Sequence, residues 1–292
     1  MKKFSKGIIL AGGSGSRLYP LTKSCNKHLL PIYNKPMIYY PLSTLLQAGI
    51  HDILIISSDE YIKDFIRLFG DGSSLGIKIS YKVQENPNGI AEAFLIGEDF
   101  IGESNVCLIL GDNVFYGSEL ENYLNNASIN MSGCSVFSYH VSNPSDYGVV
   151  EFNENKVISI EEKPKIPKSN YALTGMYFCD NRCVEYAKSI EPSERGELEI
   201  VDVLKKYLDN DSLEVFSMKK GFVWLDTGLP MNLLEASNFI KTIEDREGIN
   251  IGCIEEISLN KGFIDKDQYD KLISSMPSSA YKKRVDFNDG NY

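Results

Sequence analysis

Short apolar runs alternate with helical patterns along the first 110 residues, and this alternation narrows the possible folds more than any other feature of the sequence. Strands are predicted at Lys6–Ala11, Asp52–Ser57, Lys78–Gln84 and Val106–Leu110, and helices at Met37–Ala48, Glu60–Phe69 and Ala91–Ile96. Strands that are separated by helices pair in parallel, and the helices then cover both faces of the sheet. We therefore expect an α/β fold built around a mostly parallel sheet.

The second half of the chain differs, because several strands follow one another with only turns between them. Strands are predicted at Ser135–His140, Gly148–Phe152, Val157–Glu162, Ala172–Cys179 and Glu214–Met218, with a further short run at Phe222–Asp226. Helices are predicted at Cys183–Ser189, Glu199–Leu208, Pro230–Arg246 and Lys266–Ser274, and a turn at Asn153–Asn155. One continuous mixed sheet with a smaller added layer fits this pattern better than two independent domains.

The formal net charge of −10 limits the partners of this chain. Such an acidic protein has no general basic face, so we expect no nucleic-acid partner. It can still bind a phosphate-rich small molecule if a few cations converge or a divalent metal assists. The apolar runs are too short for a membrane span, and the stretch after the basic start Met1–Lys6 is too short for a secretory signal. We expect a cytoplasmic enzyme with no membrane partner.

The six cysteines are scattered, at positions 25, 107, 134, 179, 183 and 253. No Cys-x-x-Cys pair exists in the sequence, and no second pair or nearby histidine completes a zinc site. We therefore expect reduced, structural thiols.

A glycine-rich segment, Gly12–Gly15, directly follows the first predicted strand. Glycines let the backbone approach a ligand closely, and successive N–H groups in such a turn can bind an anion. The segment lacks the final Gly-Lys-Ser/Thr of a Walker A loop, and Leu18 stands where a dinucleotide-binding motif has its third glycine. Ligands bind beyond the carboxyl ends of parallel strands, so Gly111–Asn113, after the strand Val106–Leu110, is predicted to lie at the same edge.

Two cations, Arg17 and Lys27, follow this turn in a segment that Pro20 and Pro31 interrupt. An arginine fork fits phosphate oxygens, and a lysine supplies a compact positive charge. The alternative is that both are solvated surface cations. Their spacing alone does not decide between these two interpretations.

The run Gly12–Thr22, followed by Asn26–Ile32 and Lys35–Leu42, closely resembles the sugar nucleotidyltransferases. The resemblance extends from about Lys6 to about Ile264. It implies the nucleotide-diphospho-sugar transferase fold, which is a Rossmann-like, mixed, mostly parallel sheet with helices on both faces and a smaller sugar-side layer. It also implies one domain over 1–292, with a nucleotide-binding part at about 1–130, a sugar-binding part at about 131–228 and a helical part at about 229–292.

Within that family, the sequence is most similar to enzymes that transfer a thymidylyl group from dTTP to glucose 1-phosphate. The resemblance therefore implies dTTP and glucose 1-phosphate as substrates, a first step towards dTDP-rhamnose or related deoxysugars, and a homotetramer. The alternatives are the same chemistry with UTP or another hexose 1-phosphate, and a non-catalytic regulator that binds sugar nucleotides. A nicotinamide-dependent oxidoreductase is disfavoured by the missing third glycine.

The resemblance assigns roles at the nucleotide end. Arg17 and Lys27 match the cations that hold and polarise the leaving pyrophosphate, where fixed positive charge lowers the barrier. Gln84 matches a residue that reads the base, since an amide can pair with the carbonyl and N–H of a pyrimidine. Without the resemblance, a solvated glutamine at a strand-end turn is the favoured interpretation. The implied nucleotide-binding residues are Leu10, Gly12, Gly13, Gly15, Gln84, Pro87 and Gly89.

Asp112 and Asp226 match the two magnesium ligands of the family. Each follows a predicted strand, so each can project from the edge of the sheet. Mg²⁺ favours carboxylate and phosphate oxygens, which makes it the expected cofactor. The alternative for either aspartate is that it caps a turn or the next helix.

The resemblance also implies a sugar-phosphate site. Glu162 matches an acceptor for sugar hydroxyls, and Lys163 and Arg195 match cations that hold the sugar phosphate. By pattern alone, Glu161–Lys163 would be a solvated charged run. Trp224 can pack at the sugar pocket or serve the core. The implied sugar-phosphate-binding residues are Tyr147, Gly148, Glu162, Lys163, Tyr177 and Arg195, and the implied catalytic residues are Arg17, Lys27, Asp112, Lys163 and Asp226.

One departure from the family concerns His28, which stands where glutamine is common, close to the expected nucleotide. It leaves the preference for base and sugar open. No nucleophilic side chain or general base is implied, because the sugar phosphate is already anionic.

Overall fold

In the computed structural model, residues 4–129, 132–154 and 156–287 are described. The strands there are β1 Lys6–Ala11, β2 Pro31–Ile32, β3 Lys35–Pro36, β4 Asp52–Ser57, β5 Lys78–Val83, β6 Val106–Leu110, β7 Asn113–Tyr116, β8 Cys134–His140, β9 Gly148–Asn153, β10 Lys156–Glu162, β11 Tyr171–Cys179, β12 Leu213–Ser217 and β13 Val223–Asp226. The α-helices are α1 Tyr39–Gln47, α2 Ile62–Phe69, α3 Glu92–Ile96, α4 Glu98–Ile101, α5 Leu120–Ile129, α6 Arg182–Lys188, α7 Ile200–Asp209, α8 Pro230–Glu247, α9 Ile254–Asn260, α10 Lys266–Ser275 and α11 Ala280–Phe287.

A nine-stranded mixed sheet forms the centre of the molecule, in the order β10-β9-β11-β6-β1-β4-β5, with β8 pairing with β11 and β12 with β8. The strands β6, β1, β4 and β5 pair in parallel, as the alternating pattern of the first half predicts. β11 pairs with β6 in the antiparallel direction and so joins the second-half strands to the same sheet. The expected α/β fold with a mixed, mostly parallel central sheet is confirmed.

Both faces of this sheet are buried, because alternate residues of its central strands enter two different cores. Ile9 of β1 and Ile55 of β4 belong to one core, while Ile8 of β1 and Leu54 of β4 belong to the other. Side chains of a strand alternate between the two faces, so a run without polar residues needs cover on both. Helix α1 packs into the first core, and α3 and α7 pack into the second.

Several elements were not predicted from the sequence. These are the short strands β2, β3 and β7 and the helices α4, α5, α9 and α11. Predicted helices also differ at their ends: α1 begins at Tyr39 rather than Met37, and α2 at Ile62 rather than Glu60. Of the predicted turn Asn153–Asn155, Asn155 lies outside the described residues, as does Met1–Lys3 of the basic start.

A separate two-stranded ladder of β7 and β13 lies beside the end of β6. Its register sets Asn113 opposite Asp226, so two segments that are more than 100 residues apart in sequence meet there. Among the described helices, none combines the length and the apolarity that crossing a bilayer requires.

The chain after Ile264 forms α10 and α11, which pack against α9. Asp265 caps α10 through its side chain, and Tyr269, Ile273 and Val285 share a small core with Cys253. The tail therefore has its own apolar anchor on the rest of the protein.

Candidate functional site

The glycine-rich turn is packed so tightly that side chains are excluded at two of its positions. A β-carbon on Gly12 would collide with the Oε1 atom of Gln84. Gly15 has φ +62°, and a β-carbon there would lie 2.7 Å from a methyl carbon of Thr22. The positive φ requires glycine at position 15, and glycine at position 12 leaves room for the Gln84 amide at the end of β5.

The residues after the turn bring Lys27 back to the end of the sheet. The Asn26 side chain donates to the carbonyl of Ala11 at 3.2 Å and accepts the His28 N–H at 2.9 Å. These bonds fix the short 3₁₀ turn Lys27–Leu29, and the Lys27 Nζ then lies 2.5 Å from an oxygen of Asp112. The ion pair is largely buried.

His28 is buried beside this pair. Its Nδ1 lies 2.7 Å from the Asn26 side-chain oxygen, and its ring packs against Gly111. Burial, with the neighbouring charge of Lys27, lowers the pKa of His28 to about 3. The imidazole is therefore neutral at physiological pH.

Arg17 is exposed, and its guanidinium lies at the mouth of the site. One of its nitrogens is 2.8 Å from the position that a β-carbon on Gly228 would take. Among the described residues, it makes no ion pair and no hydrogen bond through its side chain. Arg17 thus differs from Lys27, because its charge is available to an anionic ligand.

The two aspartates meet because β7 and β13 pair. The backbone N–H and the hydroxyl of Thr227 both donate to the carbonyl of Asp112, at 3.1 and 2.7 Å. Asp226 itself accepts the N–H of Gly228 at 3.0 Å, so it also has the turn-capping role that was the alternative interpretation.

These two carboxylates have opposite pKa shifts. Burial opposes ionisation of Asp112, but the contacting Lys27 ammonium outweighs it and holds the pKa of Asp112 well below its usual range. Burial, with the nearby charge of Asp112, raises the pKa of Asp226. Two neighbouring carboxylates that repel each other favour a bound cation.

A divalent metal fits this pair of oxygen donors. Within the described residues, no group of three or more His, Cys, Asp or Glu side chains could hold a metal by itself. A metal at Asp112 and Asp226 would therefore need further ligands from phosphate oxygens and water, as Mg²⁺ in nucleotide-dependent enzymes has.

Beside the aspartates lies a cavity of about 520 Å³. It contains most of the residues that were predicted at the sugar end and several of those predicted to be catalytic. Those that line it are Arg17, Asp112, Tyr147, Gly148, Glu162, Lys163, Tyr177 and Asp226. Asp146 and Asn113 also line it and were not predicted as binding residues. Trp224 lines it as well, which agrees with the first of its two interpretations, packing at the sugar pocket.

Glu162 and Lys163 lie at the end of β10 on one wall of the cavity. Lys163 has φ +41°, and its backbone N–H donates to the Tyr147 carbonyl at 3.0 Å. This left-handed conformation is uncommon for lysine and often occurs at functional sites. Burial, with the nearby charge of Glu199, raises the pKa of Glu162.

Arg195 does not line the cavity, although it was predicted to bind the sugar phosphate. One of its nitrogens lies 2.8 Å from both oxygens of Glu199, 3.3 Å from Glu197 and 3.4 Å from Glu162. In this arrangement, the guanidinium holds Glu162 rather than facing a ligand. Glu199 was missed in the sequence analysis, and no helical spacing rule could have paired it with Arg195, because the chain is not helical between these two residues.

The remaining predicted nucleotide-binding residues lie outside the cavity, at the edge that carries Gly12. The Leu10 carbonyl accepts the Gly111 N–H at 2.9 Å, which fixes the ends of β1 and β6 together. Pro87 is exposed, and Gly89 has φ +113°, where a β-carbon would also collide with the backbone of Leu198. Gly13 lies beside the end of the Lys27 side chain.

Asn113 links the two ends of the site. Its side-chain oxygen accepts hydrogen bonds from the Gly175 N–H and the Trp224 indole, and its nitrogen donates to Asp112 at 2.9 Å. Trp224 also stacks edge-on against Tyr147, with ring centroids 5.2 Å apart. Asn113 and Trp224 therefore hold Asp112 and Tyr147 at fixed positions.

Known proteins resemble this chain along most of its length. The family model described as nucleotidyl transferase matches residues 6–243. A glucose-1-phosphate thymidylyltransferase from Neisseria meningitidis serogroup A is 53% identical over 94% of this chain and 96% of its own. One from Mycolicibacterium smegmatis is 50% identical over the same shares of the two chains.

One solved structure is similar over most of this chain. A Bacillus anthracis structure in complex with sucrose, described as a candidate glucose-1-phosphate thymidylyltransferase, superposes with a TM-score of 0.75 at 42% identity. The match covers 80% of this chain and 94% of that one.

Proposed function

This chain belongs to the nucleotidyl transferase family, and we propose that it transfers a thymidylyl group from dTTP to α-D-glucose 1-phosphate. The products are dTDP-glucose and pyrophosphate. One observation carries the proposal: a single cavity has Arg17 and the two aspartates at one end, and Glu162 and Lys163 at the other. Relatives that are about half identical over nearly the whole chain carry the name of this activity.

The reaction needs positioning and charge neutralisation rather than a nucleophilic side chain. An oxygen of the sugar phosphate attacks the α-phosphorus of dTTP, the bond to the β-phosphate oxygen breaks, and pyrophosphate leaves in line. Lys163 holds the attacking phosphate, and Glu162 accepts hydrogen bonds from the sugar hydroxyls. Arg17 and Lys27 stabilise the charge that develops on the leaving group.

Nucleotidyl transferases of this family generally use a divalent metal. We propose Mg²⁺, held by Asp112 and Asp226 together with phosphate oxygens. It would supply further charge neutralisation at the reacting phosphates. The glycine-rich turn with Gly12, Gly13 and Gly15 would hold the triphosphate through its backbone.

Further proposals follow from the family resemblance. They are one nucleotidyltransferase domain over the whole chain, a homotetramer, a cytoplasmic location and a first step towards dTDP-rhamnose. The additional sugar-end residues are Gly148 and Tyr177, while Arg195 would act through Glu162 rather than through the substrate.

A pyrophosphate-release assay tests the activity. dTTP, UTP, CTP and ATP are each combined with the 1-phosphates of glucose, galactose and glucosamine, with Mg²⁺ and with EDTA as the control. We expect the fastest release from dTTP with glucose 1-phosphate, and none in EDTA. Absence of release from every pair would contradict the transferase proposal, and a strong preference for UTP would correct the assignment of the base.

A further inference from the structure

Gln84 carries a side-chain amide whose nitrogen donates to Glu92 and whose oxygen has no hydrogen-bond partner among the described residues. The residue follows β5, is only 4% exposed and packs against Gly12 of the glycine-rich turn. Its Nε2 donates to an oxygen of Glu92 at 2.7 Å. Its Oε1 makes no hydrogen bond to any of the described residues. An amide oxygen that has no hydrogen bond within the described protein and lies beside a proposed ligand site is available to a ligand.

Glu92 decides which way this amide points. A carboxylate can only accept hydrogen bonds, so the nitrogen of the Gln84 amide must face it. The reversed amide would set Oε1 against a carboxylate oxygen, which would lose the bond and bring two negative atoms together. The orientation therefore follows from the chemistry of Glu92.

The second oxygen of Glu92 anchors the neighbouring loop. It accepts a hydrogen bond from the Asn88 side chain at 2.8 Å. The Asn88 carbonyl in turn accepts the Leu198 N–H at 2.6 Å, and the Ala91 N–H donates to the Leu198 carbonyl at 3.2 Å. Glu92, in the first turn of α3, thus holds Gln84 and this loop in one arrangement.

The oriented amide matches one class of pyrimidine. One N–H of Gln84 is used by Glu92, which leaves the other N–H and Oε1 to form a donor and acceptor pair. Uracil and thymine present the complementary pair, an N3–H donor and an O4 acceptor. Cytosine presents the opposite pair, an N3 acceptor and an N4 amino donor, and would need the reversed amide.

We propose that Glu92 is a positioning residue that fixes the Gln84 amide and so makes the site select pyrimidines with an N3–H over cytosine. The inference rests on the proposed function, in which Gln84 reads the base. It assigns no preference between thymine and uracil, because both bases present the same two groups. That choice depends on other contacts.

Selectivity between dUTP and dCTP tests this role, because the two nucleotides differ only at the edge that Gln84 would read. For the wild type, we expect a strong preference for dUTP in kcat/KM. In Glu92→Gln, an amide replaces the carboxylate and can bond with Gln84 in either orientation. We expect the preference to fall by about tenfold or more, which corresponds to about 1.4 kcal/mol.

Glu98→Gln is the matched control, since it removes the same charge from the neighbouring helix α4. Glu98 is exposed and pairs with Lys188 rather than with the base segment. We expect wild-type selectivity from it. If Glu92→Gln turns over too slowly for kinetics, the ratio of the dissociation constants of dUTP and dCTP, measured by calorimetry, replaces the kinetic ratio.

Glu92→Asp provides a conservative comparison, because a carboxylate at position 92 can still only accept and so favours the same orientation of the Gln84 amide. We expect this variant to retain more of the preference for dUTP than Glu92→Gln does, whereas a merely structural role of Glu92 predicts no such difference in selectivity. An unchanged ratio in Glu92→Gln, with an active wild type, would overturn the inference alone. A wild type that turns over neither dTTP nor dUTP would instead overturn the proposed function.

Discussion

The two ends of the cavity differ in how their charges are arranged. At the leaving-group end, Arg17 and Lys27 face Asp112 and Asp226. Lys27 forms an ion pair with Asp112, whereas Arg17 forms none among the described residues. At the sugar end, Glu162 and Lys163 line the cavity, while Arg195 lies outside it and contacts Glu162, Glu197 and Glu199. The first end is arranged to handle changing phosphate charge, and the second to hold acceptors for hydroxyl groups. Three changes test this contrast.

Asp226→Asn should have the largest effect. The substitution keeps the shape and the hydrogen bond from Gly228, but it removes one of the two proposed metal-binding charges. We expect kcat to fall by roughly 10²–10³-fold, as for the loss of one strong transition-state contact. Mg²⁺ titration of the pyrophosphate-release rate is the measurement.

Glu235→Gln, on an exposed part of α8, is the control for the loss of one negative charge. Normal Mg²⁺-dependent turnover in both Asp226→Asn and Asp112→Asn would remove the metal assignment. The contrast between the two ends would then have to rest on Arg17 and Lys27 alone.

Lys163→Met should have a smaller effect that is confined to one substrate. The ammonium lines the cavity and lies 3.9 Å from Glu162, which leaves it available to a phosphate. We expect KM for glucose 1-phosphate to rise by about 10- to 100-fold, since a hydrogen bond to a charged group contributes about 1.5–3 kcal/mol. KM for dTTP should stay within about twofold. Lys165→Met, at an exposed neighbour, is the control, and equal effects on both KM values would contradict the separation of the ends.

Acidic pH should weaken sugar binding modestly. Burial, with the charge of Glu199, raises the pKa of Glu162 above its ordinary value of 4.5. As the pH falls through that raised pKa, Glu162 gains a proton and loses acceptor strength, so KM for glucose 1-phosphate should increase. The sugar phosphate itself gains a proton near pH 6, with a pKa of about 6.

Glu162→Gln separates these two titrations, because only the substrate titrates in that variant. We expect its KM for glucose 1-phosphate to exceed the wild-type KM at every pH and to rise less steeply as the pH falls from 7. Parallel pH profiles for the two proteins would contradict a role of Glu162 protonation in sugar binding.

The parts of the fold that could be predicted are those that local pattern determines. β4 and β6 have the predicted bounds because each is an apolar run that both cores bury. β7 was missed because it has four residues and pairs only with β13. The short helices α9 and α11 were missed for a similar reason, since their stability comes from packing against distant residues rather than from a long periodic pattern.

The candidate site follows the same division. The sequence placed Gly12 and Asp112 at one edge, because both follow parallel strands, and the structure has them there. The contacts of Arg195 with Glu199, and of Gln84 with Glu92, depend on side-chain orientation, which no spacing rule supplies. The sequence indicated Asn113 only as a member of the segment Gly111–Asn113. Its three side-chain hydrogen bonds, to Asp112, Gly175 and Trp224, depend on the fold.

The pairing of β7 with β13 has a consequence for synthesis on the ribosome. Asp112 emerges early, but its partner strand follows more than 100 residues later. The parallel strands β1, β4, β5 and β6 can assemble from the nascent chain before that, since their segments lie within the first 110 residues. A chain that terminates prematurely before Val223 would therefore contain the whole glycine-rich turn and yet lack Asp226, the second half of the aspartate pair.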